Sequence, residues 1–227
     1  MSNWVVLVIA AVGIVLQILF ILQEKNKKFV AADILKGLAS LMFVIIGIIG
    51  YNALKPDSWA CKILAGLIFG MIGDIVMNLR FVLKDDAGQK AFLGGILAFL
   101  IGHVLYLCAL IPIANNLVID IIIGAVLAAA LLIYIFKTME VKTAFKIFGI
   151  FYLGAIIIMT VMAIDVAIAT AYMPYIVYAV GAVLFMASDI VLIFNTFSGK
   201  TVFSKRVLNL SLYYVGQLLI AGCMLIG

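Results

Sequence analysis

The chain has 227 residues, 68% of them hydrophobic and only 11% charged, whereas soluble domains carry about 45–50% apolar and ~25% charged residues. No water-soluble fold buries that much apolar surface, and a backbone solvated by lipid must be helical or a closed barrel; unbroken apolar runs, in place of the ~10-residue alternation of barrel strands, select helices. The net charge of +5 does not imply a nucleic-acid partner, because the charges lie between apolar runs, where lysines set topology and meet anionic headgroups.

Eight segments are long enough to cross a hydrocarbon core of about 30 Å at about 1.5 Å per residue. In chain order they are predicted at 4–22, 31–50, 59–81, 92–113, 117–136, 144–169, 172–196 and 207–226. The first is followed by Glu24, Lys25, Lys27 and Lys28, and the start, Met-Ser-Asn-Trp, lacks a basic region. It reads as a retained span, not a cleaved signal. Pro112-Ile-Ala-Asn-Asn116 marks the fourth boundary and Ala171–Pro174 the sixth; Pro56 also falls at a span end. Cys61, Cys108 and Cys223 lie in apolar runs at unrelated spacings, as buried apolar side chains rather than a disulfide framework. The expected fold is therefore all-α: one polytopic membrane domain, 1–227, of about eight transmembrane helices.

Basic residues alternate with the loops. The odd loops hold Lys25, Lys27, Lys28; Arg80, Lys84, Lys90; Lys137, Lys142, Lys146; and Lys200, Lys205, Arg206. The second loop holds Lys55 and Lys62, and the fourth and sixth hold none. Twelve against two is a strong positive-inside signal. It predicts cytoplasmic odd loops, both termini outside and, with such short loops, a bacterial cytoplasmic membrane.

The third and seventh spans look alike. Gly66, Met71, Gly73, Asp74, Ile75 and Val76 match Gly181, Met186, Ser188, Asp189, Ile190 and Val191 without a gap, at an offset of 115 residues. Gly102-His103 and Gly216-Gln217 extend the match into the following helices. An offset of four spans preserves orientation, so two parallel four-helix repeats, 1–115 and 116–227, are expected, with the two aspartates at equal depth.

Ionisable groups inside a span cost several kcal/mol and mark function or pairing. Asp120 and Asp165 lie near span ends and read as solvated. Asp74 and Asp189 lie about 9 Å inside the odd-loop ends of their spans. Lys36 reaches a similar depth, one turn beyond Asp33. Asn78 and Asn195 lie one to two turns below the aspartates. His103, Tyr106, Tyr152, Tyr213, Tyr214 and Gln217 lie nearer the middle. An Asp–Lys36 pair acting only as helix glue and a His103 satisfied in the core are the plainer alternatives. One histidine in the chain leaves no His-rich zinc site. There is neither a G-x-S-x-G elbow nor a phosphate loop, and Ser188, adjacent to Asp189, points another way along the helix. Two carboxylates, a lysine, a histidine and several hydroxyls and amides suit acid–base chemistry without metal or cofactor.

Four stretches in order, Gly70–Leu79 (GMIGDIVMNL), Gly102–Tyr106 (GHVLY), Gly181–Asp189 (GAVLFMASD) and Tyr213–Ala221 (YYVGQLLIA), together with Lys36, resemble the YhhN-like family over essentially the whole chain. That family includes the lysoplasmalogenases, integral membrane enzymes that hydrolyse the vinyl-ether bond of a lysoplasmalogen to a fatty aldehyde and glycerophosphoethanolamine or glycerophosphocholine. The resemblance implies this activity, a lysophospholipid substrate, and motif positions at Asp74, Asn78, His103, Tyr106, Ser188, Asp189, Tyr214 and Gln217.

Vinyl-ether hydrolysis needs a carboxylic acid to protonate the β-carbon and an anion beside the resulting oxocarbenium ion, a division of labour analogous to paired glycosidase carboxylates. Asp74 and Asp189 are the expected pair. His103, Tyr214 or Gln217 would position water, and Lys36 would hold one aspartate ionised or bind the headgroup phosphate. The competing reading is a proton-coupled lipid or small-solute transporter, which buried acids and a parallel repeat also fit. It requires access from both faces, whereas the polar set is biased to one.

Overall fold

The computed structural model describes residues 3–54 and 58–226; Lys55 and Pro56 lie outside the described residues. Among them eight helices run in order: α1 Asn3–Lys25, α2 Phe29–Ala53, α3 Ser58–Asn78, α4 Asp85–Leu110, α5 Leu117–Thr138, α6 Thr143–Thr170, α7 Met173–Phe197 and α8 Phe203–Gly222. Short 3₁₀ turns extend α3, α4 and α8, and there is no strand among the described residues. All eight helices are long and apolar enough to cross a membrane. Their outer faces carry a belt of exposed Leu, Ile and Val, including Leu7, Val15, Ile122, Val126 and Ile168. Such a surface is stable only in lipid, so the chain is an integral membrane protein.

The connections follow local chemistry. Residue 27 turns the chain from α1 to α2 in the left-handed region, at φ 58°. Ala171 ends α6 in the same way, at φ 49°, and Pro174 sits in the first turn of α7, where a missing N–H does no harm. Helix α4 begins seven residues before its predicted span. Residues 85–91 are too polar to score as membrane but are helix-competent, and Asp85 and Asp86 favour the positive end of the helix dipole. The Asp165 carboxylate accepts the backbone N–H groups of Asn115 and Asn116 at 3.1 and 3.2 Å, clasping the α4–α5 loop. Asp120, expected to be solvated, is instead buried at 3% exposure.

Helices α1 and α5 lie at the rim, while α6 and α8 are the most enclosed. Two glycine contacts set how close the inner helices come. A methyl group on Gly102 would lie 3.2 Å from the Gly66 carbonyl oxygen, and one on Gly216 would lie 2.8 Å from that of Gly181. Backbone therefore touches backbone between α3 and α4 and again between α7 and α8, as small residues allow in lipid. The core between these pairs is aromatic: Phe99, Phe185 and Tyr213 meet edge to face, with ring centroids 5.1–6.1 Å apart.

Candidate active site

Asp74 points from the inner face of α3 and is 6% exposed. Lys36 and Ser40, one turn apart on α2, both reach it. The lysine Nζ lies 3.3 Å from Oδ1, and the Ser40 hydroxyl donates to Oδ2. From α8 the Tyr213 hydroxyl donates to the same oxygen at 2.7 Å. Gln217, one turn along α8, links the Tyr213 hydroxyl to that of Tyr106 at 3.3 and 3.2 Å. The Lys36 ammonium also lies over the rings of Tyr213 and Phe20, at 4.4 and 5.3 Å from their centroids. The carboxylate thus meets a lysine ammonium and two hydroxyl donors, and a chain of hydrogen bonds continues behind Tyr213.

Asp189, 4% exposed, is furnished differently. The Tyr152 hydroxyl, from α6, donates to its Oδ2 at 2.6 Å. His103 Nε2 lies 3.9 Å from that oxygen, too far for a hydrogen bond. Neither ring nitrogen of His103 has a partner among the described residues, and its ring packs against Tyr152 and Phe185 at 5.2 and 4.9 Å. No lysine or arginine pairs with Asp189 among the described residues.

The two aspartates line one cavity of about 40 Å³ together with Lys36, Asn78, Tyr152, Ser188, Asn209 and Tyr213. That is room for a water molecule or two. Two further spaces adjoin it, one of about 50 Å³ and one of about 340 Å³. An apolar crevice between α4, α6 and α7, bounded by Phe92, Ile96, Phe145, Gly149 and Phe197, shares Tyr152, Asp189, Met77 and Leu192 with the cavity. A vestibule of about 340 Å³ at the odd-loop end, lined by Glu24, Arg80, Phe81, Asn195 and Thr201, shares Arg206 and Leu192 with it.

The YhhN family model matches residues 31–224. The chain belongs to the YhhN family. Neither the curated proteins nor the solved structures contain a significant match.

Of the site residues expected from the sequence, Lys36, Asp74, Asn78, Tyr152, Ser188 and Asp189 all line the shared cavity. His103 abuts Asp189, and Tyr106 and Gln217 form the layer behind Tyr213. Ser188 accepts a hydrogen bond at 2.8 Å from Asn209, so it ties α7 to α8. Asn195 lies in the vestibule, where its side-chain oxygen accepts the Val202 N–H at 2.8 Å and holds the α7–α8 loop. Tyr214 faces away from the cavity: its hydroxyl donates to the Ala39 carbonyl at 2.8 Å, and its ring packs on Phe43. Its neighbour Tyr213 is the tyrosine on Asp74.

Four side chains escaped the sequence reading. Ser40 is an ordinary serine in an apolar helix, visible only by its i+4 relation to Lys36. Asn209 and Arg206 lie where helix α8 leaves the loop, and a loop arginine reads as a topology signal. Arg206 makes two bonds to Glu24, at 2.8 and 3.0 Å, across 182 residues of sequence. Arg80 lies at the foot of α3 with its guanidinium over the Phe92 ring at 4.2 Å.

Proposed function

We propose that this YhhN protein is a lysoplasmalogenase-type hydrolase, cleaving the vinyl ether of a lysophospholipid with Asp189 as the acid and Asp74 as the anion. The observation that carries the reading is the shared cavity: two carboxylates from matched helices line one water-sized space but have unlike partners. Asp74 has a cation and two hydroxyl donors. Asp189 has one hydroxyl donor and no lysine or arginine counter-ion among the described residues, which suits it to hold the proton.

In this mechanism the Asp189 O–H protonates the β-carbon of the alkenyl group, and the C=C electron pair forms the new C–H bond. The α-carbon becomes an oxocarbenium centre, stabilised by the Asp74 carboxylate. Water attacks that carbon and gives a proton back to Asp189, leaving a hemiacetal. Its collapse breaks the bond to the glycerol oxygen, which takes the hemiacetal hydroxyl proton, and releases the aldehyde and the glycerophospho-alcohol. Tyr152 orients Asp189, while Lys36, Ser40 and Tyr213 keep Asp74 charged. The apolar crevice beside Asp189, of about 50 Å³, suits the first carbons of the hydrocarbon chain. Odd loops on the cytoplasmic side follow from the basic-residue count.

We also infer that the two halves descend from one four-helix unit. The matched glycine contacts, Gly66 with Gly102 and Gly181 with Gly216, support that reading.

The test is aldehyde release by purified protein in detergent, from lysoplasmalogen beside an ester lysophospholipid. Aldehyde from the vinyl ether alone, lost in Asp189→Asn and Asp74→Asn, is expected. Near-full turnover by both variants in folded protein would refute the mechanism. If folded wild-type protein acts on neither lipid, flux across liposomes becomes the discriminating assay for a transporter.

A further inference from the structure

The vestibule at the odd-loop end has more positive charge than it neutralises. Two guanidinium groups flank the Phe81 ring, Arg80 at 4.6 Å and Arg206 at 5.7 Å from its centroid. Glu24 is the acid among the lining residues, and both of its oxygens are taken by Arg206. Arg80 has no ion pair among the described residues, and its buried Nε has no hydrogen-bond partner. Its guanidinium carbon lies over the rings of both Phe81 and Phe92, 4.6 and 4.2 Å from their centroids. The two rings hold the group in place without satisfying its N–H donors, and the Nε among them is unpaired. Arginine donors left unpaired in this way suit a phosphate, which arginine can take with two parallel bonds.

We infer that this vestibule is a binding site for a phosphate-bearing lipid headgroup, with Arg80 as the anchor and Arg206 as the second donor. The inference deepens the hydrolase reading and rests on it for the identity of the reacting bond, though not for the anion itself. A partly buried cation without a partner is costly, and an incoming phosphate supplies the missing charge. Position agrees with the chemistry. Arg206 bonds Asn209 at 3.4 Å and Asn78 at 3.5 Å, and both asparagines line the carboxylate cavity. Phe92, beneath Arg80, is a wall of the apolar crevice that reaches Asp189. The headgroup place thus adjoins both the carboxylate cavity and the apolar crevice.

The site is tested by binding as well as turnover. In phosphate-free buffer and a non-ionic detergent, sn-glycero-3-phosphoethanolamine, inorganic phosphate and glycerol are each titrated against thermal stability of the full chain. The expected result is stabilisation by the glycerophosphodiester, weaker stabilisation by inorganic phosphate and none by glycerol. Arg80→Gln should weaken the glycerophosphodiester by about tenfold or more, the loss of a charge-assisted contact, and Arg80→Lys by less. Asp189→Asn should bind it as the wild type does. With lysoplasmalogen as substrate, Arg80→Gln should raise KM far more than it lowers kcat. Wild-type protein should prefer lysoplasmalogen to its dephosphorylated alkenylglycerol, and the variant should lose that preference. Arg80-dependent binding in a protein that releases no aldehyde would leave the anion site standing and remove the reaction. Aldehyde release with unchanged KM and unchanged headgroup binding in folded Arg80→Gln would overturn the site and leave the reaction. Inorganic phosphate binding as tightly as the glycerophosphodiester would also overturn it as a lipid-headgroup site.

Discussion

Lys36 and Asp74 form a buried ion pair whose two halves can be removed separately or together, and the outcomes differ in sign for stability and for activity. At 3.3 Å and an effective dielectric of about 20, the attraction is about 5 kcal/mol, much of it offset by desolvation. Replacing one partner leaves the other charge buried and unpaired, which costs about 3–5 kcal/mol. Lys36→Met and Asp74→Asn should each lower the unfolding midpoint in detergent by about 10 °C. Lys36→Met/Asp74→Asn removes both charges, keeps the shapes, and should recover most of that loss. Aldehyde release should not recover, because the anion beside the oxocarbenium ion is gone. Thermal unfolding followed by intrinsic fluorescence, with turnover measured on the same preparations, checks both limbs. If the double variant loses as much stability as the two singles combined, the pair is not coupled as described. If it retains turnover, Asp74 is not the stabilising anion.

Other outcomes follow from the same geometry. Asp189→Asn should lower turnover about 10³-fold, the scale of a lost general acid, with only a small change in unfolding midpoint because the Tyr152 hydroxyl keeps an oxygen to donate to. Tyr152→Phe should keep the fold and lower turnover by about tenfold, measured as kcat on one lysoplasmalogen. Gly149→Leu introduces a side chain whose Cβ meets nothing within 4 Å; it should fill the crevice and shift preference towards shorter alkenyl chains, read as the ratio of rates on a chain-length series. Gly216→Ala puts a methyl 2.8 Å from the Gly181 carbonyl oxygen and 3.1 Å from the Phe185 nitrogen. It should destabilise the protein by about 1–3 kcal/mol, seen as a lower midpoint at unchanged KM.

The architecture was legible because lipid leaves the backbone so few options. Apolar runs of span length read as helices, and the eight helices fall where they were expected to within a few residues, apart from the start of α4. Hydropathy reports where a helix can contact lipid, not where its hydrogen bonds begin, so the polar turns at 85–91 were invisible to it. The burial of Asp120 was missed for a related reason. Position near a span end does not say whether a neighbouring helix covers the residue.

The polar cluster was legible in part. Asp74, Asp189, Lys36 and Tyr152 stand out because charge and hydroxyl are expensive in a span, and the shared cavity brings those four together. What single-helix reasoning cannot supply is rotation. Tyr213 and Tyr214 are equal candidates in sequence, yet they point about 100° apart on α8; one holds Asp74 and the other a carbonyl of α2. Arg206 and Arg80 were absorbed into the topology count, because a basic residue at a helix foot has that simpler explanation until a neighbour such as Phe81 is seen between two of them.

The unlike surroundings of the two aspartates make sense on the proposed duplication. Lys36 precedes Asp74 by 38 residues and Tyr152 precedes Asp189 by 37, and each reaches its aspartate from the helix before, so on that proposal the two are near-equivalents. The same holds for the last helix of each half. Tyr213 on α8 donates to Asp74, while Phe99, its counterpart on α4 at an offset of 114 residues, has no hydroxyl to offer Asp189. A symmetrical ancestor would give both carboxylates the same tendency to ionise, and two like charges at one cavity resist ionising together. Replacing one tyrosine-like arm with a lysine and one phenyl arm with a phenol breaks that tie. On this argument Lys36→Tyr with Tyr152→Lys exchanges the preferred charge state of the two aspartates. Asp189, now beside the lysine, would become the anion, and infrared spectra of the carboxyl C=O stretch, with Asp74→Asn and Asp189→Asn to assign the bands, would show the protonated carboxyl move to Asp74. A protonated carboxyl that stays on Asp189 in the folded exchange variant would show that the helix environment, not these two side chains, sets the division of labour.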